Sequence, residues 1–240
     1  MTTYTVNVYG IFTLGSASSN NREQRRTRLN DDVNRANEIW RINGENCINF
    51  VAAGTFNANH ITINASDMLS ETALGPNTST RTLINQVRSR RNGAIGIYIV
   101  YLSGDHFADR DNNGNLLNVI GYGGPQLLRY NSPNDYQIIG EIVITDGGFQ
   151  TNVFAHEAGH NLLTRIITDP NNNNNQIFDN SDPTGPYREF DPITGDVTFE
   201  SPGHSADPNN IMYPVVTNNT QIATEQCDIA RQSTIVIVQN

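Results

Sequence analysis

The chain has 240 residues and a mass of 26.5 kDa, enough for one large domain or two closely packed lobes around a full hydrophobic core. A formal charge of −9 argues against a polyanionic nucleic-acid partner, and no run approaches the about eighteen apolar residues that a membrane span needs. Hydrophobic residues make up 37% and charged residues only 16%, with frequent asparagine, so the chain reads as globular but rich in turns and caps.

Residues 1–10 read as a strand and not a signal peptide, because they lack a basic head and a long apolar run; a signal for export would lie outside this chain. Alternation at Tyr4, Val6 and Val8 predicts a strand over 3–12. The basic run 22–28 reads as the solvated lead-in to a helix over 28–41, with Asn30 as its cap and Asp31 and Asp32 in its first turn. Strands follow at 47–56 and, shorter, at 61–65, then a helix at 78–91. The nearly continuous apolar run 94–102 predicts a central strand covered on both faces. A Gly-rich edge strand is expected at 116–123, another strand at 137–145, and a helix starting near Phe149. Residues 169–203, with five consecutive asparagines and several Pro and Gly turns, predict a loop-rich insertion with short strands at best. A helical segment at 222–233 and a β-prone tail at 234–238 close the chain. This alternation predicts an α/β (α+β) fold with a twisted mixed sheet.

The strongest chemical signal is His156-Glu157-Ala158-Gly159-His160. Residues four apart on a helix stack on one face, so both imidazoles can reach one ion, and Glu157 points near the same face, placed to take a proton from a metal-activated water. The ordinary alternative is two helix-surface histidines flanking a solvated glutamate.

Read together with residues 203–214, where Gly203-His204 precedes Ile211-Met212-Tyr213-Pro214, the motif resembles the metzincin zinc peptidases, especially the matrixins. That family carries a long zinc motif, HExxHxxGxxH, followed by a methionine-containing turn. Here Leu163 and Ile166 stand where the family has its glycine and third histidine. The two halves match if about 38 residues are inserted between them, an arrangement similar to the leishmanolysin branch. The resemblance implies residues 1–163 as an N-terminal subdomain ending in the zinc helix. Residues 164–240 would then be a C-terminal subdomain of the same catalytic domain, with the insertion at about 164–202.

Several roles follow from the resemblance. His156, His160 and His204 would bind Zn2+, with Glu157 as general base of an endopeptidase. Met212 would floor the site, and Gly203 would turn the chain tightly to present His204. A peptide or protein substrate would lie along Leu116, Val119 and Gly121, with Tyr213, Pro214 and Val215 lining its side-chain pocket. The helix is expected to run past Leu163 and break near Asp169-Pro170. Cys47, just after the N-terminal helix, and Cys227, within the C-terminal helix, would be joined in a secreted protein, because these elements pack near one another in zincins of this type; two separate buried thiols are the other reading. Two further alternatives stay open: Glu189 or Glu200 as an acidic third ligand, and a secreted binding module whose motif is incidental.

Asp109, Asp111 and Asn113, before Gly114, resemble the first half of an EF-hand loop, and matrixins bind structural ions in the corresponding loop, which raises Ca2+ as a second ion. Ile120 stands where the loop would need its bidentate glutamate, so a plain Asn-Gly turn is the competing reading.

Overall fold

The computed structural model describes residues 2–169, 172–216 and 220–239. In chain order the elements are β1 (Thr3–Thr13), α1 (Arg22–Ile39), the short pair β2 (Arg41–Ile42) and β3 (Glu45–Asn46), β4 (Asn49–Ala58), α2 (Ser79–Arg90) and β5 (Ile97–Tyr101). A long hairpin, β6 (Gly121–Ser132) and β7 (Asp135–Ile144), leads to α3 (Val153–Leu162). Two small hairpins follow, β8 (Arg165–Asp169) with β9 (Asn172–Asp179) and β10 (Tyr187–Phe190) with β11 (Val197–Ser201). The helix α4 (Thr224–Ala230) and β12 (Ile237–Gln239) end the chain.

A six-stranded mixed sheet is the frame. β1 pairs in parallel with β4 and with β5, and antiparallel with β12; β5 runs parallel to β7, and β6 closes the sheet antiparallel to β7. Alternate side chains of a strand face opposite ways, and both faces of this sheet are covered. Val6, Val8, Phe12, Ile97 and Ile99 pack with α1 and α3, whereas Tyr9, Ile11, Tyr98 and Val100 pack with Leu83, Ile84 and Val87 of α2. All five residues of β5 are buried, which accounts for its unbroken apolar sequence.

Several boundaries differ from the sequence reading. α1 begins at Arg22, capped by the Asn21 side chain, which accepts from the Gln24 N–H; Asn30 lies inside the helix. The basic run is therefore part of the helix. Residues 22–27 hold no apolar position and lie largely exposed, and the first buried turn carries a charged pair: Arg28 Nε donates to Asp32 at 2.9 Å, and the Tyr101 hydroxyl donates to the same carboxylate at 2.8 Å. Residues 61–65 form no strand; Ala65 N–H donates to the Ser103 carbonyl and a 3-10 turn follows at Ala65–Asp67. The edge strand starts at Gly121, where 116–123 was expected, and continues through Pro125, which an edge position tolerates because its missing N–H costs no ladder bond. α3 begins at Val153 and stops at Leu162, short of Asp169; Pro170 lies outside the described residues. Leu163 and Ile166 are both buried.

Cys47 and Cys227 are bonded, with Cα atoms 5.6 Å apart, which ties the start of β4 to α4. Closing a loop with a sequence separation of 180 restricts the unfolded chain by a nominal ~5 kcal/mol, an upper figure in the loop-entropy account. Replacing both cysteines with alanine is expected to lower unfolding free energy by about 2–5 kcal/mol in urea titrations. Thiol titration of the denatured, unreduced wild type should find no free thiol. Among the described residues no helix is long and apolar enough to cross a membrane.

Candidate metal centre

α3 lies close on the β6–β7 hairpin because the strands present small residues to it. A Cβ on Gly123 would come within 2.8 Å of the Glu157 carbonyl oxygen. Asn161 fastens the helix: its Nδ2 donates to the Glu157 carbonyl at 2.9 Å, and its Oδ1 accepts from Glu141 N–H at 3.1 Å. Behind the helix, Trp40 Nε1 donates to the Ala155 carbonyl at 3.1 Å. With the helix held on three sides, the face carrying residues 156, 157 and 160 is directed into a cleft of about 400 Å³.

His156 and His160 lie one turn apart with their rings edge to face and Nε2 atoms separated by 3.1 Å. His156 Nδ1 sits 2.6 Å from the Ile211 carbonyl, an acceptor, so Nδ1 carries the proton and Nε2 keeps its lone pair. Ser201, Pro202, Gly203 and His204 form a tight turn closed by His204 N–H donating to the Ser201 carbonyl at 3.3 Å. The His204 ring is further fixed by a 2.6 Å bond between its Nδ1 and Ser201 Oγ. Its centroid lies 5.4 Å from that of His156 and 4.9 Å from that of His160. One ligand atom from each of the three lies within 4.8 Å of the others, and among the described residues this is the only such group of histidine, cysteine or acidic side chains.

The donor set fits a divalent transition metal. Three imidazoles suit zinc, and a tetrahedral ion with Zn–N near 2.0–2.1 Å places its nitrogens about 3.3 Å apart, close to the observed His156–His160 separation. The rings must also be neutral to offer lone pairs. Burial pushes the pKa of His156 down to about 4 and that of His160 well below the imidazole range; burial also lowers His204, against the opposing charge of Asp182.

Glu157 is only 6% exposed. Burial raises its pKa from 4.5 to about 8, against the lowering effect of a hydrogen bond from the Gly123 N–H. A folded-state pKa above the unfolded value contributes stability that is fully present below the unfolded pKa and lost as pH rises through the folded one. In metal-free protein, the stability difference between wild type and Glu157→Gln is therefore expected to be flat below pH 4.5. It should shift progressively against the wild type up to about pH 8, as read from urea midpoints at each pH.

Beneath the histidines, Met212 is fully buried and its thioether packs onto Gly159, where any Cβ would collide with the sulfur. The glycine inside the HEAGH segment is thus a seat for the methionine, a role the sequence reading did not give it. Gly203, in contrast, lies outside the left-handed backbone region, so the turn that presents His204 does not demand glycine there.

Of the expected substrate-lining residues, Val119, Gly121 and Pro214 line the cleft, joined by Tyr122, Gly123, Asn180, Ser201 and Pro202. Leu116, Tyr213 and Val215 do not. Leu116 sits across from Arg110 in a loop, Tyr213 packs edge-on against Tyr187 at 5.3 Å, and Val215 is exposed. Asn180 comes from the insertion, whose turn-rich sequence carries no signal of which way it folds. Glu189 and Glu200 lie exposed on the β10–β11 hairpin, Glu200 paired with Arg188 at 2.6 Å, and neither joins the histidines. The Asp109 carboxylate accepts from the Ser70 N–H and hydroxyl. That of Asp111 accepts from the N–H groups of Asn113 and Asn115, bonds that describe a plain turn. No family model matches this chain, and no curated protein matches it.

Proposed function

We propose that this chain is a zinc-dependent endopeptidase of metzincin type, exported to an oxidising compartment. The observation that carries this reading is the convergence of His156, His160 and His204 in an open cleft, with the buried Glu157 carboxyl on the same helix face. His156, His160 and His204 would hold the metal, which when bound supplies Lewis acidity toward a carbonyl oxygen and toward water. Glu157, which the charge of a bound dication would hold ionised against the burial that raises its pKa in metal-free protein, accepts the proton of the attacking water and delivers it to the leaving amide nitrogen, so the peptide bond breaks with no net change in the enzyme. The outer edge of β6, whose glycines line the cleft, offers backbone groups to an extended substrate in strand-addition fashion. Recognition of main chain in this way fits cleavage within a polypeptide. The Cys47–Cys227 disulfide supports the compartment, since such bonds persist where the surroundings are oxidising.

The test is cleavage of an unfolded protein by zinc-loaded wild type and by Glu157→Gln. Cleavage by the first and not the second supports the enzyme. Stoichiometric zinc without cleavage by either would favour a binding module.

A further inference from the structure

Within the insertion between His160 and His204, the segment 180–187, which precedes the β10–β11 hairpin, is laced to the turn bearing His204. Asp182 N–H donates to the Pro202 carbonyl at 2.8 Å, Tyr187 N–H to the His204 carbonyl at 3.0 Å, and Ala206 N–H to the Thr184 carbonyl at 3.3 Å. Gly185 packs so closely on the His204 carbonyl that no side chain fits between them.

Under this lacing lies a buried polar network centred on Asp182, which is 5% exposed. Asp182 Oδ1 accepts from Thr184 N–H at 2.7 Å and lies 2.6 Å from Thr184 Oγ1, while Oδ2 accepts from Gln226 Nε2 at 2.6 Å. Gln226, fully buried in α4, also exchanges bonds with Asn210 at 2.9 and 3.0 Å, and Asn210 Oδ1 accepts from Met212 N–H at 2.9 Å. On the other branch, Thr184 Oγ1 lies 2.7 Å from Ser205 Oγ, the residue after His204, and Ser205 N–H donates to the Met212 carbonyl at 2.9 Å. Each hydroxyl has one proton. Thr184 Oγ1 thus shares its proton between the Asp182 carboxylate and Ser205 Oγ, which also accepts from Asp207 N–H at 3.2 Å.

We infer that Asp182 is a positioning residue for the metal centre: through Thr184–Ser205 and Gln226–Asn210 it fixes both the turn that aims His204 and the Met212 floor. The insertion is then a brace for the third histidine and not an appendage, which explains how a ligand separated from His160 by 43 residues is presented with a defined ring orientation. The carboxylate is suited to the task because it accepts from both branches at once; a neutral amide would set a donor against Gln226 Nε2. Fully satisfied buried networks of this kind specify one geometry, and partly satisfied ones lose it. Groups that orient metal ligands typically change metal affinity about 10–100-fold when removed.

This inference rests on the proposed metal site, and its test separates the two. Zinc affinity is measured by chelator competition, and the His204 ring is followed in metal-free protein by imidazole 15N–1H correlation spectra. Asp182→Asn is expected to weaken zinc about 10–100-fold and to shift or broaden the His204 ring signals, leaving those of His156 less affected. Leu83→Ala, a destabilising change on the α2 side of the sheet, provides the control for stability loss alone and is expected to alter neither. Thr184→Val, which leaves the carboxylate but cuts the branch to Ser205, should give the same sign and serves if the Asp182 variant does not fold. Unchanged zinc affinity and unchanged His204 signals in these variants would overturn the inference, as would an equal loss in Leu83→Ala. A wild type that binds no zinc defeats the metal reading alone, because the His204 signals of the metal-free variants still decide whether Asp182 orients the ring.

Discussion

His204→Ala is expected to lower zinc affinity by roughly 10²–10⁴-fold, and to abolish peptidase activity while leaving the fold in place. The magnitude follows from sharing: apparent zinc-binding free energies of about 10–16 kcal/mol divided among three imidazoles give each about 3–5 kcal/mol. The fold should survive because His204 lies in a surface turn and is not part of either apolar core. Its carbonyl, which holds Tyr187 N–H, is retained by alanine. Chelator competition reads the affinity, and circular dichroism with thermal melting reads the fold. An unchanged zinc affinity would remove His204 from the site.

Glu157→Gln gives the opposite signature. The amide keeps the volume and one oxygen toward the Gly123 N–H but takes no proton, so the metal stays and kcat falls by about 10²–10⁴-fold, the usual worth of a positioned general base. KM should move little, because the lost interaction belongs to the transition state. Loss of zinc together with activity would instead make Glu157 a structural support of the ligands. The two variants thus separate holding the metal from using it.

Much of the frame was legible in the sequence because it is set by periodicity. The alternation of β1, the apolar run of β5 and the helical spacing of the apolar residues in α2 and α3 are local properties of the chain. The start of α1 was not legible, since residues 22–27 lie largely exposed and hold no apolar position from which a period could be read. The β6 strand was expected as a Gly-rich edge, but its run to Ser132 was masked by Gly124 and Pro125, the latter tolerated where an edge needs no donor, while Gly121 and Gly123 sit where α3 presses close. At the candidate site, His156, Glu157 and His160 were readable from helical spacing alone. The approach of His204 was expected only by resemblance, as no local rule connects residues on either side of a long turn-rich insertion. Asp182, Thr184 and Gln226 were invisible for the same reason: each is an unremarkable polar residue until the fold joins them to one another and to Asn210 by hydrogen bonds. The expected cysteine pairing is the bond the structure contains. Leu116, Tyr213 and Val215, expected along the substrate, are not among the residues lining the cleft, where Val119, Gly121 and Pro214 are.

The most direct test of the central claim is anomalous scattering from crystals of zinc-loaded protein, recorded above and below the zinc edge. The account predicts a single strong peak about 2.0–2.1 Å from one imidazole nitrogen each of His156, His160 and His204, with the Glu157 carboxylate nearby but not ligating. A peak held by His156 and His160 with Glu189 or Glu200 as the third ligand, His204 standing apart, would contradict it.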